Sequence, residues 1–480
     1  MIMIKSIKKI KKIINRTPRN LPFRLRRELS RKGLGGLVLF LLLPFSVFSQ
    51  EKMDLEECLR IGLEQNFDIR LRKNAQQISD NNATTGNAGM LPTVDLNSSF
   101  NTTAVSGSDQ FLANGSEKIS TRGSHTETLN AGVNLNWMLF EGFRAQTSYK
   151  KLQELQKMGE LNTQMAVENF IADLSAEYYN FVQQTIRMKN LRAAVRLSAE
   201  RLRIVEARYQ IGNMSRLDLQ QARVDFNTDS SRLMNQYESL NSSRIRLNEL
   251  MGNTDVDRRF SASDTAINVA NFPEKSEFQD RIFTDNILMK LSEKDKAISE
   301  LDLKTAQSQN YPYLRLNAGY GLSHFNYNRG NLDKQNTWGP NVGLTLGFRI
   351  FDGFNKSREQ KNAQIQIENR QLENEQLKLS LNSQFTNIWL AYRNNLEVLA
   401  LEKVSLENAR LNHEIAMDRY KLGDLSGIQL REAQNNLLQA EERLITAEYS
   451  AKLYEISLMQ ISGRIGEYLS PSKPLQRGGF

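Results

Sequence analysis

Arg208-Tyr209-Gln210-Ile211-Gly212-Asn213-Met214-Ser215 returns as Arg419-Tyr420-Lys421-Leu422-Gly423-Asp424-Leu425-Ser426, 211 residues further along the 480-residue chain. At the same offset Phe140-Glu141-Gly142-Phe143 returns as Phe351-Asp352-Gly353-Phe354, and Leu219, Ala222 and Gly252 return as Leu430, Ala433 and Gly463. Earlier in each half the offset is 220, with Asn66 matching Asn286 and Pro92 matching Pro312. The nine-residue difference falls between Pro92 and Phe140, so the first half carries the longer insertion there. A period of this size exceeds that of any solenoid repeat and indicates two copies of one domain-sized unit.

Each unit reads as a helical stretch (53–90 or 284–310), two alternating segments, and about 110 residues of helix (143–251 or 355–462). No proline lies between Pro92 and Pro273 or between Pro340 and Pro471, which favours long helices. Phe170, Leu174, Tyr178 and Phe181, and later Leu381, Phe385, Ile388 and Tyr392, form narrow heptad-like seams. A helix running 143–210 would be ~100 Å long and cannot stand alone on one apolar stripe, so it must lie against other helices. Gly212 and Gly423 suit the left-handed residue that ends a helix, and Ser215 and Ser426 suit the N-cap of the next. Each unit therefore ends in a helical hairpin.

Before each long helix the period changes to two. Leu129, Ala131, Val133, Leu135, Trp137 and Leu139 alternate with polar or small residues, as do Val342, Leu344, Leu346, Phe348 and Ile350. Segments 92–100 and 314–322 behave likewise. Strands are expected at about 92–103 and 128–141, and at about 312–325 and 338–351, joined by Gly/Ser/Asn/Asp-rich linkers. They suit either an ordinary sheet with one face buried or a membrane barrel. The opposite faces are small or amidic, as in a wet lumen, and Trp137, Tyr320 and Trp338 sit near strand ends. Four strands are too few to close a barrel. If they enter a membrane, several chains must pool them, and periodicity does not choose between two, three or four chains.

Lys plus Arg number 63 against 54 Asp plus Glu, a net charge of +9. Residues 1–49 hold 12 of the basic residues and one acid, which leaves 51 basic against 53 acidic residues, a net charge of −2. A nucleic-acid partner thereby loses its main support. The basic start, the apolar run Leu34–Val47 and the small residue Ser49 read as a secretory signal peptide over 1–49. An uncleaved anchor is the alternative, although the run falls short of a bilayer-spanning helix. Cys58 is the lone cysteine, on a helical face with Leu55, Leu59 and Leu63, and reads as a packed apolar residue. His125, His324 and His413 lie far apart with no carboxylate or cysteine cluster beside them. No nucleophile elbow, phosphate loop or metal motif occurs, so neither an enzyme nor a cofactor is expected.

Leu55-Glu-Glu-Cys-Leu-Arg-Ile-Gly-Leu-Glu-Gln-Asn66, Leu91-Pro92, the doubled strand exits, and the doubled Arg-Tyr-x-x-Gly-x-x-Ser turns make the chain resemble the TolC family of outer-membrane efflux proteins, over about residues 53–465. The resemblance implies a mainly α fold with transmembrane β: two tandem α-β-β-α repeats, long coiled-coil periplasmic helices, and four strands per chain in a trimeric 12-stranded β-barrel. The units would span 50–252 and 284–465, with 253–283 as an equatorial connection and 466–480 as a polar tail. The implied role is a passive exit duct of a tripartite efflux pump or type I secretion system in the outer-membrane lipid. Its implied partners are a periplasmic adaptor (a membrane fusion protein) and an inner-membrane transporter. Carried over onto this sequence, the tip turns that meet the adaptor are Gly212, Ser215, Leu219, Gly423, Ser426 and Leu430. The aperture candidates are Asp218, Gln429 and Glu432; Leu425 stands where an arginine can form a closing link, which puts a salt-bridged lock in doubt. Phe140, Gly142, Phe143, Phe351, Gly353 and Phe354 mark the strand exits. An exported coiled-coil scaffold or adhesin without a channel is the alternative reading.

Overall fold

The computed structural model describes residues 51–111, 118–272, 274–329 and 332–469. The expected signal peptide lies outside the described residues, as do Pro273 and positions 470–480 of the tail. The chain opens with strand β1 (Glu51–Met53) and helices α1 (Leu55–Gln65) and α2 (Phe67–Asn82). Strands β2 (Thr93–Phe111) and β3 (Lys118–Glu141) follow, then helices α3 (Arg144–Gln210) and α4 (Arg216–Met251). Strand β4 (Phe260–Ala262) and two single-turn helices, α5 (Ser276–Gln279) and α6 (Arg281–Thr284), occupy the middle. The second half holds α7 (Ile287–Ser308), β5 (Tyr313–Tyr327), β6 (Lys334–Gly347), α8 (Asn355–Leu422) and α9 (Gly427–Ile461), closed by a 3₁₀ turn at Ile465–Leu469.

Strands β2, β3, β5 and β6 form one antiparallel sheet in that order, with β2 and β6 at its edges. Residues related by the offsets of 220 and 211 occupy matching pairs: Val94 faces Leu135, and Leu314 faces Leu346. The first hairpin is longer than expected, its strands running 19 and 24 residues; in the second, β5 has 15 residues and β6 has the expected 14, displaced four residues toward the turn. Much of the Gly/Ser/Asn-rich linker sequence, 101–111 with 118–127 and 323–326 with 334–337, continues the ladder, because pairing satisfies backbone groups whatever the side chains are. At its far end β6 stops at Gly347, short of the expected 351, because Phe348 to Phe351 have no neighbouring strand to pair with.

The core lies in the helical part. Phe170, Leu174, Tyr178 and Phe181 of α3 and Leu381, Phe385 and Tyr392 of α8 are buried in one cluster with Cys58, Leu59 and Leu458. Gly62 permits a close crossing there: a Cβ on it would stand 2.2 Å from Phe170 Cζ. Burial pushes the Cys58 thiol up to about 12, which makes it inert as a nucleophile.

The connection 253–283 is woven into this core rather than laid over it. Phe260, Ile267, Phe272, Phe278 and Ile282 are all buried in the main cluster. Polar anchors fix its path: Glu455 accepts from Ala270 N at 2.8 Å and from the Tyr468 hydroxyl at 3.0 Å, and pairs with buried Lys452 at 2.7 Å. Tyr392 accepts from Phe272 N at 3.3 Å and donates to the Ala270 carbonyl.

Asn66 and Asn286 make the same double contact in the two halves. Asn66 Oδ1 caps α2 at Ile69 N (3.1 Å) while its Nδ2 donates to the Leu250 carbonyl (2.9 Å). Asn286 caps α7 at Leu288 N (2.9 Å) and donates to the Ile461 carbonyl (2.9 Å). Each asparagine thus ties the start of one helix to the end of a hairpin. Asn286→Ala is expected to lower stability by about 2–3 kcal/mol, since it removes a cap and orphans a buried carbonyl. A shift in the denaturant midpoint checks this, and a change within about 0.5 kcal/mol would refute the tie.

Candidate functional site at the helical tips

The two turns between long helices share one construction. At the first, Gly212 has φ +79°, Gly212 N donates to Tyr209 O (3.0 Å) and Asn213 N to Arg208 O (2.8 Å). At the second, Gly423 has φ +88°, with Gly423 N to Tyr420 O (3.1 Å) and Asp424 N to Arg419 O (2.9 Å). A Cβ on either glycine would meet nothing within 4 Å, so it is the left-handed backbone that selects glycine here, not crowding. Ser215 Oγ then accepts from Asp218 N (3.1 Å), and Asp218 Oδ2 accepts from Ser215 N (3.3 Å) and Oγ (2.7 Å), a complete capping box. Ser426 and Gln429 repeat it, with an amide oxygen in place of the carboxylate.

This geometry redistributes the predicted site. Asp218 commits Oδ2 and Gln429 its amide oxygen to the caps, and Asp218 also gains from the positive end of the α4 dipole. Glu432 is exposed and shares with Asp218 one cleft of about 680 Å³, while Gln429 is not among its lining residues. Leu219 (6% exposed) packs on Val205 and Ala222, and Leu430 (0%) packs on Ala416, Tyr420 and Ala433. These two leucines close their hairpins from inside, because four residues past the cap a side chain points back at the paired helix. The exposed apolar residues at the tips are Ile211 (74%) with its counterpart Leu422 (84%), and Leu217 (77%) with its counterpart Ile428 (73%). Reading each turn outward from its glycine would have found them, one residue before it and five after.

Just above the tips lies a buried charge cluster that sequence reasoning missed. Arg431 of α9 forks onto both oxygens of Asp229 in α4, at 2.7 and 2.8 Å. Arg201 of α3 donates to the carboxylate of Asp225, which also accepts from Gln221 Nε2 at 3.1 Å. The Arg201 side chain is 4% exposed and that of Asp229 1%. The cluster joins the first hairpin to the second. It breaks the duplication, since the matching positions carry Gln220, Asn412, Asn436 and Ala440. That loss of symmetry at four charged positions is the signal the sequence offers. The ring of Tyr420 packs under Arg208 at 5.4 Å, and its hydroxyl is buried without a partner in the cleft.

At the other end of each long helix sit the strand exits. Gly142 and Phe143 have φ +57° and +65°, and Gly353 and Phe354 have +68° and +65°. Two successive left-handed residues turn the strand into the helix. Phe140 meets Phe143 edge-on at 5.3 Å, and Phe351 meets Phe354 at 5.4 Å. Asp352 Oδ2 accepts from Lys356 N at 2.9 Å to cap α8.

Among the described residues no group of three His, Cys, Asp or Glu is placed to hold a metal ion, and no helix is long and apolar enough to cross a membrane. The family model described as outer membrane efflux protein matches residues 59–253 and 297–464. Outer membrane protein TolC of Escherichia coli (strain K12) is 21% identical over 385 residues, covering 75% of this chain and 74% of its own. A membrane protein from Pseudomonas aeruginosa superposes with a TM-score of 0.70 at 14% identity, over 86% of this chain and 91% of its own. The Campylobacter jejuni CmeC outer membrane channel gives 0.69 at 17% identity, over 85% of each chain. At such identities the structural likeness shows a shared fold.

Proposed function

Because the chain belongs to the outer membrane efflux protein family, and so is an exit duct of the Gram-negative outer membrane with a periplasmic extension, we propose that it works as a homotrimer in which twelve strands close one barrel and the helices continue it as a tunnel. One observation carries this reading. The four-stranded sheet has two open edges, and its apolar face is not covered by the chain's own helices: Leu96 is 79% exposed, Val342 77% and Leu346 72%. A lone sheet of this kind would aggregate in water and leave unpaired backbone in lipid, whereas pooling the edges into a closed barrel removes both problems.

The duct is passive and takes its cargo from an inner-membrane transporter through a periplasmic adaptor. The tip turns around Gly212 and Gly423 are the docking face, with Ile211, Leu217, Leu422 and Ile428 as the apolar contacts in place of Leu219 and Leu430. Ser215 and Ser426 hold these loops in shape. Asp218 and Glu432, in one cleft, narrow the entrance. A coiled-coil scaffold without a channel would have no use for an uncovered apolar sheet face. Purified in detergent, the protein should have the mass of a trimer and give discrete ion conductance in planar bilayers. Monomers that conduct nothing in several lipids would overturn the proposal.

A further inference from the structure

The duplication allows one groove to be compared with its own copy. In the second half the connection 253–283 threads between α8 and α9. Tyr392 of α8 donates to the Ala270 carbonyl, and Glu455 of α9 accepts from Ala270 N at 2.8 Å. A donor on the incoming segment thus meets an acidic acceptor on the hairpin. The positions 211 residues earlier are Phe181 of α3 and Arg244 of α4. Here the connection supplies only a border. Asp257, Arg259, Phe260 and Ser261 edge a cavity of about 1180 Å³ between the two helices.

The cavity has an apolar floor and a rim of one sign. Phe181, Met188 and Phe260 are buried, and Val195, Leu233 and Leu240 are half-buried around them. Lys189, Arg192, Arg196, Arg244 and Arg259 line the cavity against one acid, Asp257. Arg244 gives its Nη2 to Asp257 at 2.8 Å, and its Nε is buried with no acceptor among the described residues. Arg192 donates to the Tyr237 hydroxyl at 2.7 Å and lies over the Tyr237 ring at 5.5 Å. Among the described residues no carboxylate pairs with Lys189, Arg196 or Arg259. The sign is peculiar to this half. The counterparts of Arg196, Tyr237 and Arg244 are Glu407, Glu448 and Glu455. Five cations around one floor repel each other, and folding does not require them, since the second hairpin manages the same place with Lys452 and Glu455 paired at 2.7 Å.

We propose that this groove between α3 and α4 binds an amphipathic organic anion. Its apolar body covers Phe181, Met188 and Phe260, and its carboxylate, sulfate or phosphate head is held by Arg244 and Arg192. The donor and acceptor roles of the second half are thereby exchanged: Arg244 offers the N–H, and the ligand brings the acceptor. A guanidinium fork holds such a head through two parallel hydrogen bonds, and a methionine adapts to the shape of the body. The volume fits one ligand with a sizeable apolar body and is far larger than a bare phosphate or sulfate needs. A bare anion would satisfy the rim and leave the floor wet, and a neutral lipid would do the reverse. The site lies on the first hairpin alone, so it does not depend on how many chains close the barrel.

The test is NMR of isotope-labelled methionine methyl groups in the full chain, purified in nonionic detergent, with the Met188 signal identified by its loss in Met188→Leu. Sodium dodecanoate should move the Met188 signal saturably and leave that of Met289, buried in the core, in place. Acetate has the head without the body, and dodecylamine has the body with the opposite charge; neither should move Met188 at the same concentration. Arg192→Gln combined with Arg244→Gln should raise the dodecanoate Kd about tenfold or more. Arg203→Gln, on an exposed arginine of α3 outside the cavity, should leave it unchanged. Thermal unfolding of the double variant tells lost binding from lost fold. If that variant does not fold, Val195→Phe, which narrows the cavity and keeps every charge, should weaken the dodecanoate response in its place. A Met188 signal that ignores dodecanoate, or follows dodecylamine or acetate equally well, would overturn the proposal. So would an unchanged Kd in the folded double variant.

Discussion

Arg431→Ala should destabilise the folded helices by about 3–5 kcal/mol, the range found when one member of a buried ion pair is removed. The magnitude comes from what is left behind. Asp229, with a side chain 1% exposed, would keep only Arg232, at 3.7 Å and itself half in solvent. The bidentate fork from Arg431 supplies both of its strong hydrogen bonds. A carboxylate cannot be left charged and nearly dry without a large penalty, so the tips should open locally to let water reach it. The exposed pair Arg60–Glu57 is the internal control: Arg60→Ala should leave the unfolding midpoint nearly unchanged, because solvent screens it. Replacing both Arg431 and Asp229 by leucine should recover most of the loss, because two apolar residues need no charge compensation. The readout is thermal or guanidinium unfolding of the detergent-solubilised protein. Equal losses in Arg431→Ala and Arg60→Ala would show that the cluster is not dry.

Why this cluster escapes a reading of the sequence, while so much else does not, is a matter of which physical signals are local. Helix period, proline absence and cap chemistry are local, so the long helices, the Gly212 and Gly423 turns and the seam through Phe170, Leu174, Tyr178 and Phe181 are legible. The burial of Arg201, Asp225, Asp229 and Arg431 depends on three helices meeting, and charged residues on a helix otherwise read as its wet face. The connection through Phe260, Ile267, Phe272, Phe278 and Ile282 has no period, so nothing in its spacing reveals that it is threaded into the core. Strand length failed for a related reason. Val94, Leu96 and Phe100 announce a strand, but Gly107, Ser108 and Asp109 continue it only because residues 120–122 of β3 lie alongside. At the tips the illegible property is facing: Leu219 and Leu430 recur in both halves, and recurrence marks a hairpin's buried interior as readily as its surface.

Gly142→Ala should abolish or nearly abolish assembly of the duct, with a loss of about 4 kcal/mol or more in the folded protomer, at the level reserved for identifiable steric faults. Two penalties act at once. Gly142 has φ +57°, where an L-residue is strained by about 1–2 kcal/mol. Its new methyl would also stand 2.2 Å from the Ser308 carbonyl oxygen and 2.9 Å from Tyr311 Cβ, and the first of these is backbone at the end of α7, which cannot swing away. Gly212→Ala separates the two effects, since φ there is +79° and a Cβ meets nothing within 4 Å; it should show the backbone penalty alone. The measurement is unfolding of the solubilised protein together with its yield after extraction from the membrane. If Gly142→Ala is no worse than Gly212→Ala, the exit is not crowded and the strand-to-helix corner is softer than its geometry implies. Gly353→Ala should behave like Gly212→Ala rather than Gly142→Ala, because φ there is +68° and only Asn355 Nδ2, at 3.7 Å, stands near the added methyl.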